Sequence, residues 1–564
     1  MHNQHVKSVI PFRIRIGVTG HRSLPDKQIL TQFVKGILAT RFLESFNAEA
    51  YKSIKESQAT PVAFTIVSPL AEGADRLVAR AVLEYPGARL EVVIPFNRDA
   101  YIEHFITTES KQDFESLLKQ AHRCIELENN VRSVTTEKVP PQTQQDRYRR
   151  VGEYIVEHCD ILIALWDGQP SRGEGGTAEI VSLAIDRGKP VFIVSTNAPH
   201  EVNLINGGSL HARHLAKLDV FNAWPISNAE LETYTENEYR YLFCPSHAEP
   251  IPVALKQVVR ERLIPFYVRA AIIAKKNQNA YHQAGLSAYI LSTIAVFFMG
   301  VAVVFHDNRI LSLLGYFCEL VLLVSLFVII NHADKAHVHK NWLMNRALAE
   351  GVRTACYFVA CGFIPSYSFA MEGLNADEGE DWVSNALDEI LDGLPPVQCP
   401  AEPIDAVYGE YIHTCWIQDQ LRYHQEKVKS TERKNRLLKQ AIMGVFGAAI
   451  AVTCVHLTMF FTGMYEQSGR HWLDVIENML SVVAVTLPAT GAAMTGYRSL
   501  MEYSRIESRS SIMAEQLSRL NTQYRVVTTR EKLETLLLRA NELMMMESQD
   551  WVKLMSFADI KNVA

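Results

Sequence analysis

No two of the nine cysteines are spaced Cys-x-x-Cys, and no Cys/His grouping has zinc-ligand spacing. A zinc site is therefore not expected, and the odd count reads as reduced, mostly buried thiols. Excess charge is missing too: 56 Lys and Arg against 62 Asp and Glu leave a net −6, which argues against nucleic acid as a partner. Met1–Arg13 is polar and the first strong apolar run is a short strand, so no secretory signal is expected. Any membrane targeting is then left to internal segments. With 48% apolar and 21% charged residues in 564, the composition suits three or four domains that include a few membrane helices.

Those segments lie behind residue 285: Leu286–Phe305, Leu311–Ile330, Ala441–Phe461 and Met479–Tyr497. A hydrocarbon core of about 30 Å needs roughly 20 apolar residues in a helix, and the first three meet that length. The fourth is weaker, because it carries Pro488 and small polar residues, tolerated in a membrane when neighbouring helices satisfy the freed carbonyls. The alternative for each is a buried helix of a soluble domain.

Basic flanks set an orientation, since Lys and Arg favour the cytoplasmic side of short loops. Lys275 and Lys276 precede the first segment, Lys335 and Lys340 follow the second, Lys427 to Lys439 precede the third, and Arg498 and Arg505 follow the fourth. The connections 306–309 and 462–478 hold only Arg309 and Arg470, the second against three acids. The expectation is a membrane protein with its N-terminal half, central stretch and C-terminal tail all cytoplasmic. Anionic membrane lipid is an expected partner of the basic flanks.

From residue 12 to 200, short β-branched runs alternate with helical patterns, which signals βαβ units and a doubly wound parallel sheet. The runs are Ile14–Thr19, Ala63–Val67, Leu90–Ile94, Ile161–Trp166 and Pro190–Val194. The resulting fold class is a Rossmann-like α/β domain followed by an all-α membrane domain with four transmembrane helices and long helical extensions. The division expected is 1–200 for the sheet domain, 201–282 for a helical connector, 283–360 for a first hairpin, 361–417 for a connection, 418–535 for a second hairpin and 536–564 for a helical tail. Within the connection, residues 373–400 are acidic and read as exposed. The two hairpins suggest a loose duplication, with Asn341–Glu350 and Tyr497–Arg505 in corresponding places.

Ligand chemistry should collect at the carboxyl ends of the strands. Gly17-Val-Thr19-Gly20-His21-Arg22 closes the first strand; its glycines admit a close-lying anion and Arg22 offers a bidentate fork to phosphate. After the second strand comes Ser68-Pro-Leu-Ala-Glu72-Gly73-Ala-Asp75-Arg76, in which Asp75 is either a helix cap or a ribose-binding carboxylate. After the fourth comes Asp167 and then Gly173-Glu174-Gly175-Gly176-Thr177-Ala-Glu179, glycines ahead of a helix N-terminus with a hydroxyl donor and a carboxylate. Three such loops on one sheet point to a nucleotide or phosphate ligand.

Together with Val92-Val-Ile-Pro-Phe96, these motifs resemble the SLOG domain, the Rossmann-like group that includes LOG nucleotide hydrolases and DNA-processing protein A. The resemblance covers residues 12–200. Ser68, Ala71, Gly73 and Asp75 match its Ser-Gly-x-Ala-x-Gly-Ile-Asp pattern except at Pro69, and Gly175-Gly-Thr-x-Glu179 matches the LOG motif without its proline and with one residue fewer before Glu179. That deletion turns the carboxylate by about 100° around the helix, so the resemblance implies a ligand sensor rather than a hydrolase. The helical half is similar in plan to SLATT effectors of bacterial conflict systems. What this implies is an antiphage-type membrane effector, homo-oligomeric, with a nucleotide-derived ligand and no other cofactor or metal. A membrane-anchored N-glycosidic enzyme using Glu179 and Asp75, and a ligand-regulated channel or transporter, are the alternatives. Inside the apolar segments, Glu319 reads as either interhelical glue or a pore-lining group, and His456 as a packed interfacial residue.

Overall fold

The computed structural model describes residues 8–127, 144–170, 175–197, 200–243, 248, 251–365, 382–395, 405–461, 471–523 and 529–556. The chain divides into two compact units, Val9–Trp224 and one from Pro225 onward.

The first unit runs β1 (Phe12–Gly20), α1 (Lys27–Ala39), α2 (Ala48–Glu56), β2 (Val62–Ser68), α3 (Ala74–Leu83), β3 (Arg89–Ile94), α4 (Arg98–Ile102), α5 (Thr108–Leu118), β4 (Arg123–Glu126), α6 (Gln144–His158), β5 (Ile161–Trp166), α7 (Thr177–Asp186), β6 (Val191–Ser195), β7 (Val202–Ile205) and α8 (Leu215–Ala223). Seven strands form one sheet in the order β4-β3-β2-β1-β5-β6-β7. Every pairing is parallel except that of β6 with β7.

The five β-branched runs are β1, β2, β3, β5 and β6, and near-continuous burial along β2, β3 and β5 is what strands covered on both faces show. The expectation of an all-parallel sheet is corrected at one edge by antiparallel β7. Both β4 and β7 are only four residues long, and Ile125 is the one buried residue of β4, so neither carries an alternation that a sequence pattern could register. Residues 201–224, expected in a helical connector, supply β7 and α8. Asn222 ties that end to the start of the unit, accepting from Ile10 N at 3.0 Å and donating to Ile10 O at 2.8 Å and Thr60 Oγ1 at 3.0 Å.

The second unit contains α9 (Asn228–Leu242), α10 (Val253–Val258), α11 (Ile264–Val304), α12 (Arg309–Lys335), α13 (Val338–Ala360), α14 (Trp382–Asp392), α15 (Asp405–Tyr411), α16 (Gln418–Phe461), α17 (His471–Leu500), α18 (Tyr503–Gln523) and α19 (Arg530–Ser556). Among the described residues four helices, α11, α12, α16 and α17, contain stretches long and apolar enough to cross a membrane. Pro488 lies inside α17, which runs through it from His471 to Leu500. In the order of packing, α12 lies on α11, α11 on α17, and α17 on α16, a row with α12 and α16 at its ends.

The duplication is legible in the backbone. A π-helical segment leads into each long helix, Val259–Leu263 before α11 and Ile412–Ile417 before α16. Each return helix then ends at a left-handed non-glycine residue, His337 (φ 48°) after α12 and Glu502 (φ 49°) after α17. The following helix folds back on its own long helix, α13 on α11 and α18 on α16. The register differs from the one expected: Asn341–Glu350 lies wholly within α13, whereas Tyr497–Arg505 straddles the break itself.

The expectation that 373–400 is an exposed connection is also corrected. Residues 366–381 and 396–400 lie outside those described, but Trp382–Asp392 is helix α14, which buries Trp382, Val383, Ala386, Leu387, Ile390 and Leu391. A Cβ on Gly351 of α13 would stand 3.0 Å from Leu387, so the two helices pack closely. The acidic residues sit on the opposite face of an amphipathic helix, and acid content alone conceals that period. Boundaries at 535 and 536 fall inside α19, where Met544 and Met545 are buried.

Candidate functional site

Strands β1 and β5 are neighbours, but the chain leaves β1 toward β2 on one side and β5 toward β6 on the other. At such a reversal the connecting loops part, leaving a crevice beyond the carboxyl ends.

Two loops are locked together beside it. A Cβ on Gly20 would stand 2.5 Å from Ala74 Cβ and 2.6 Å from Leu165 O, so β1, β5 and the start of α3 meet with no room for a side chain. Gly73 has φ 84°, and a Cβ there would overlap the carbonyl oxygens of His21 and Arg22. Ala74 N donates to His21 O at 3.1 Å, completing the lock. Gly17 lies lower, where a Cβ would meet Ile155 at 2.7 Å and Cys159 Sγ at 2.9 Å, so its role is the packing of α6 on β1. Thr19 is half-buried on β1.

Several residues of the second loop hold it in shape. Ser68 is fully buried, and its Oγ accepts from Leu70 N at 3.0 Å, fixing Leu70 at φ 55°. Arg76, 7% exposed, donates from Nε to Leu70 O at 3.0 Å and from Nη1 to Ser110 O at 3.0 Å, with its guanidinium 4.7 Å over the Phe105 ring. Glu72 accepts from Ser110 Oγ. Asp75 accepts from Ala71 N at 3.1 Å, and burial pushes its carboxyl up to about 7 against the pull of that amide and of Arg22 and Arg76. A carboxyl poised there is half-protonated near neutrality.

Across the crevice, His21 Nε2 lies 3.0 Å from Asp167 Oδ1 and 3.2 Å from Asp167 N, joining the β1 and β5 loops. The amide of Gln169 and the His21 ring hold the Asp167 carboxyl below its usual range. Residues 171–174, including Gly173 and Glu174, lie outside those described. Gly175 has φ 76°, and a Cβ on it would stand 2.9 Å from Arg149 N of α6. Gly176 caps α7 and Thr177 opens it. Glu179 turns back to accept from Gly175 N at 2.6 Å, which commits one of its oxygens to the loop.

Geometry therefore brings His21, Arg22 and Asp167 to the crevice mouth, sets Asp75 buried within the field of Arg22, and leaves Ser68, Glu72, Arg76, Gly175 and Glu179 shaping its walls. An aromatic group beside it is absent from the motif reading. Arg22 lies 5.9 Å from the Tyr148 ring, Tyr148 meets Phe96 edge-on at 5.8 Å, and His104 stacks on Phe96 at 5.2 Å. These residues come from three separate elements, and only the paired Pro95-Phe96 stood inside a motif.

In the helical unit, Glu319 is half-buried one turn beyond Gly315, where a Cβ would meet Ala302 at 2.8 Å, so it lies on the side of α12 turned to α11. His456 continues the buried seam of Ile442 and Ala449 at seven-residue spacing, and its Nε2 is buried without a hydrogen bond.

Fold and site together define a Rossmann-like α/β unit with a switch-point crevice, carried on a chain with four membrane-capable helices. No protein-family model matches this chain, and no curated protein matches it.

Proposed function

We propose that this protein is a membrane effector of the bacterial antiphage type, in which a SLOG-like unit binds a nucleotide-derived signal and the four apolar helices then permeabilise the inner membrane. The observation that carries the reading is the convergence of the His21–Asp167 junction, Arg22 and the partly protonated Asp75 at one switch-point crevice. Arg22 supplies a fork for phosphate, and the Tyr148 ring 5.9 Å away supplies a stacking face for a base. The commitment of Glu179 to Gly175 N favours sensing over glycosidic cleavage. From Pro225 the chain continues into α9, which packs on the long helix α11. Signalling needs a ligand that binds the active arrangement more tightly than the resting one.

The test begins with the full chain purified in detergent and heated to release bound small molecules, which are identified by mass spectrometry. A phosphate-bearing, nucleotide-derived compound is expected, reduced about tenfold or more in Arg22→Ala, as loss of a charge-assisted contact implies. Added back to liposomes holding the protein, that compound should release entrapped dye. Release that is independent of the compound, or retention unchanged by Arg22→Ala, would refute the reading.

A further inference from the structure

A cavity of about 170 Å³ lies in the helical unit, among the basic ends of the helices and outside the apolar segments. Its walls come from both halves of the duplication: α11 and α13 of the first, α16 and α18 of the second. Arg346, Lys427, Lys434 and Arg509 line it, and among the described residues no Asp or Glu does. His282 and His424 also line it, and the Nδ1 atom of each is buried with no hydrogen-bond partner. His424 is only 3% exposed, so water from the surface does not readily satisfy it.

A buried polar nitrogen without a partner costs on the order of 1 to 3 kcal/mol, and four cationic side chains line the same cavity. An anion with several acceptor oxygens would accept from both imidazoles, each carrying its proton on Nδ1, and is attracted by the surrounding cations. We propose that this cavity is a binding site for a phosphate group, presented either by an anionic lipid headgroup or by a soluble phosphorylated compound. The cavity has room for a phosphate group with accompanying water. Because both halves of the duplication supply cations, the bound anion would hold the two halves together, as ligands do at repeat interfaces in other membrane bundles. The site is separate from the crevice of the α/β unit and does not depend on the function proposed for it.

The experiment uses the full chain in neutral detergent and measures binding by calorimetry and by thermal shift at matched ionic strength. The probes are dihexanoyl phosphatidylglycerol, dihexanoyl phosphatidylcholine and inorganic pyrophosphate. The anionic lipid, pyrophosphate or both should bind, with affinity about tenfold weaker in Arg346→Gln and in the paired Lys427→Gln, Lys434→Gln variant. Both lysines are exposed, so the paired variant keeps the fold, and Arg436→Gln on the outer surface should bind as the unaltered protein does. Lipid binding alone assigns a headgroup site, and pyrophosphate binding alone assigns a soluble ligand. No binding of either anion, equal binding of the zwitterionic lipid, or affinity unchanged in the paired lysine variant would overturn the proposal.

A second inference rests on the duplication itself. The row α12, α11, α17, α16 contains the contact of a long helix from the first half with a return helix from the second. Its counterpart, α16 against α12, joins the two ends of the row. In the existing contact Gly300 approaches Val482, with a would-be Cβ at 3.6 Å from its Cγ1. When the halves are aligned at the ends of the π-helical segments and at His337 and Glu502, Gly300 corresponds to Cys454 and Val482 to Phe317. Both counterparts face outward, Phe317 at 62% and Cys454 exposed. We infer that α16 of one copy docks on α12 of a second copy in this register, a head-to-tail contact that repeats around a ring or along a filament.

Cys318 adjoins Phe317, so a short bismaleimide added to membranes should link Cys454 of one copy to Cys318 of the next and produce a ladder beyond the dimer. In a chain whose other cysteines, exposed Cys124 among them, are replaced by serine, the ladder should vanish in Cys318→Ser and in Cys454→Ser separately. Persistence in either variant, or a dimer with no higher species, would overturn the inference.

Discussion

Gly73→Ala should destabilise the α/β unit by on the order of 3 kcal/mol or more, far beyond the cost of its backbone angle alone. At φ 84° an alanine is strained in any surroundings, and here its methyl would also overlap the carbonyls of His21 and Arg22. Relief requires moving the end of β1, which is pinned by Ala74 N and by His21 N bonded to Leu165 O at 3.1 Å. Gly87 provides the control, because it has φ 72° with open space around it. Gly87→Ala should cost only about 1 to 2 kcal/mol, the strain of a left-handed side chain. Hydrogen exchange of the β1 and β2 amides in the full chain separates the two, since it reads this unit without unfolding the helices. Equal protection in the two variants would show that the loops yield and that the lock is not rigid.

The second large effect is a pH dependence set by Asp75. Its carboxyl is raised from 3.8 to about 7 in the folded unit, chiefly by burial. Between those values the folded state holds the proton and the unfolded state has released it, so stability falls as pH rises through this window and the full cost remains above it. From the size of the shift that cost is at most about 4 kcal/mol. An asparagine side chain at this position would keep an oxygen to accept from Ala71 N while carrying no charge. Asp75→Asn should therefore stabilise the unit by roughly 2 to 4 kcal/mol at pH 8 and little at pH 4. Thermal unfolding of both proteins from pH 4 to pH 8 checks this. Parallel curves for the two would mean that the carboxyl titrates normally and that the crevice holds no poised acid.

Five strands, four long apolar helices and the paired hairpins were legible because each repeats a simple period over enough residues. Strands β4 and β7 were not, being four residues each at sheet edges, and α14 was hidden by the acids on its outer face. Among site residues, the glycines of the three loops were legible because a strand that turns sharply into a helix needs them. Their separate duties were not: Gly17 serves helix packing, Gly73 the lock between two loops, and Gly175 the approach of α6. Nothing in the local sequence of Ser68 or Arg76 distinguishes a residue that touches ligand from one that holds Leu70 in place.

What the amino-acid order determined alone is therefore the set of elements and the end of the sheet where chemistry gathers, since hydrophobic period and chain direction are local properties. Tertiary structure decided which charges meet. Arg15 and Glu91, unremarked within their strands, form a 2.9 Å ion pair across the sheet. Asp75 departs from its ordinary titration because α3 is packed against β1, and four cations from residues 346 to 509 surround one cavity because the duplicated halves fold against each other. Electrostatic effects depend on separation in space and on burial, and neither is fixed until the chain has closed on itself.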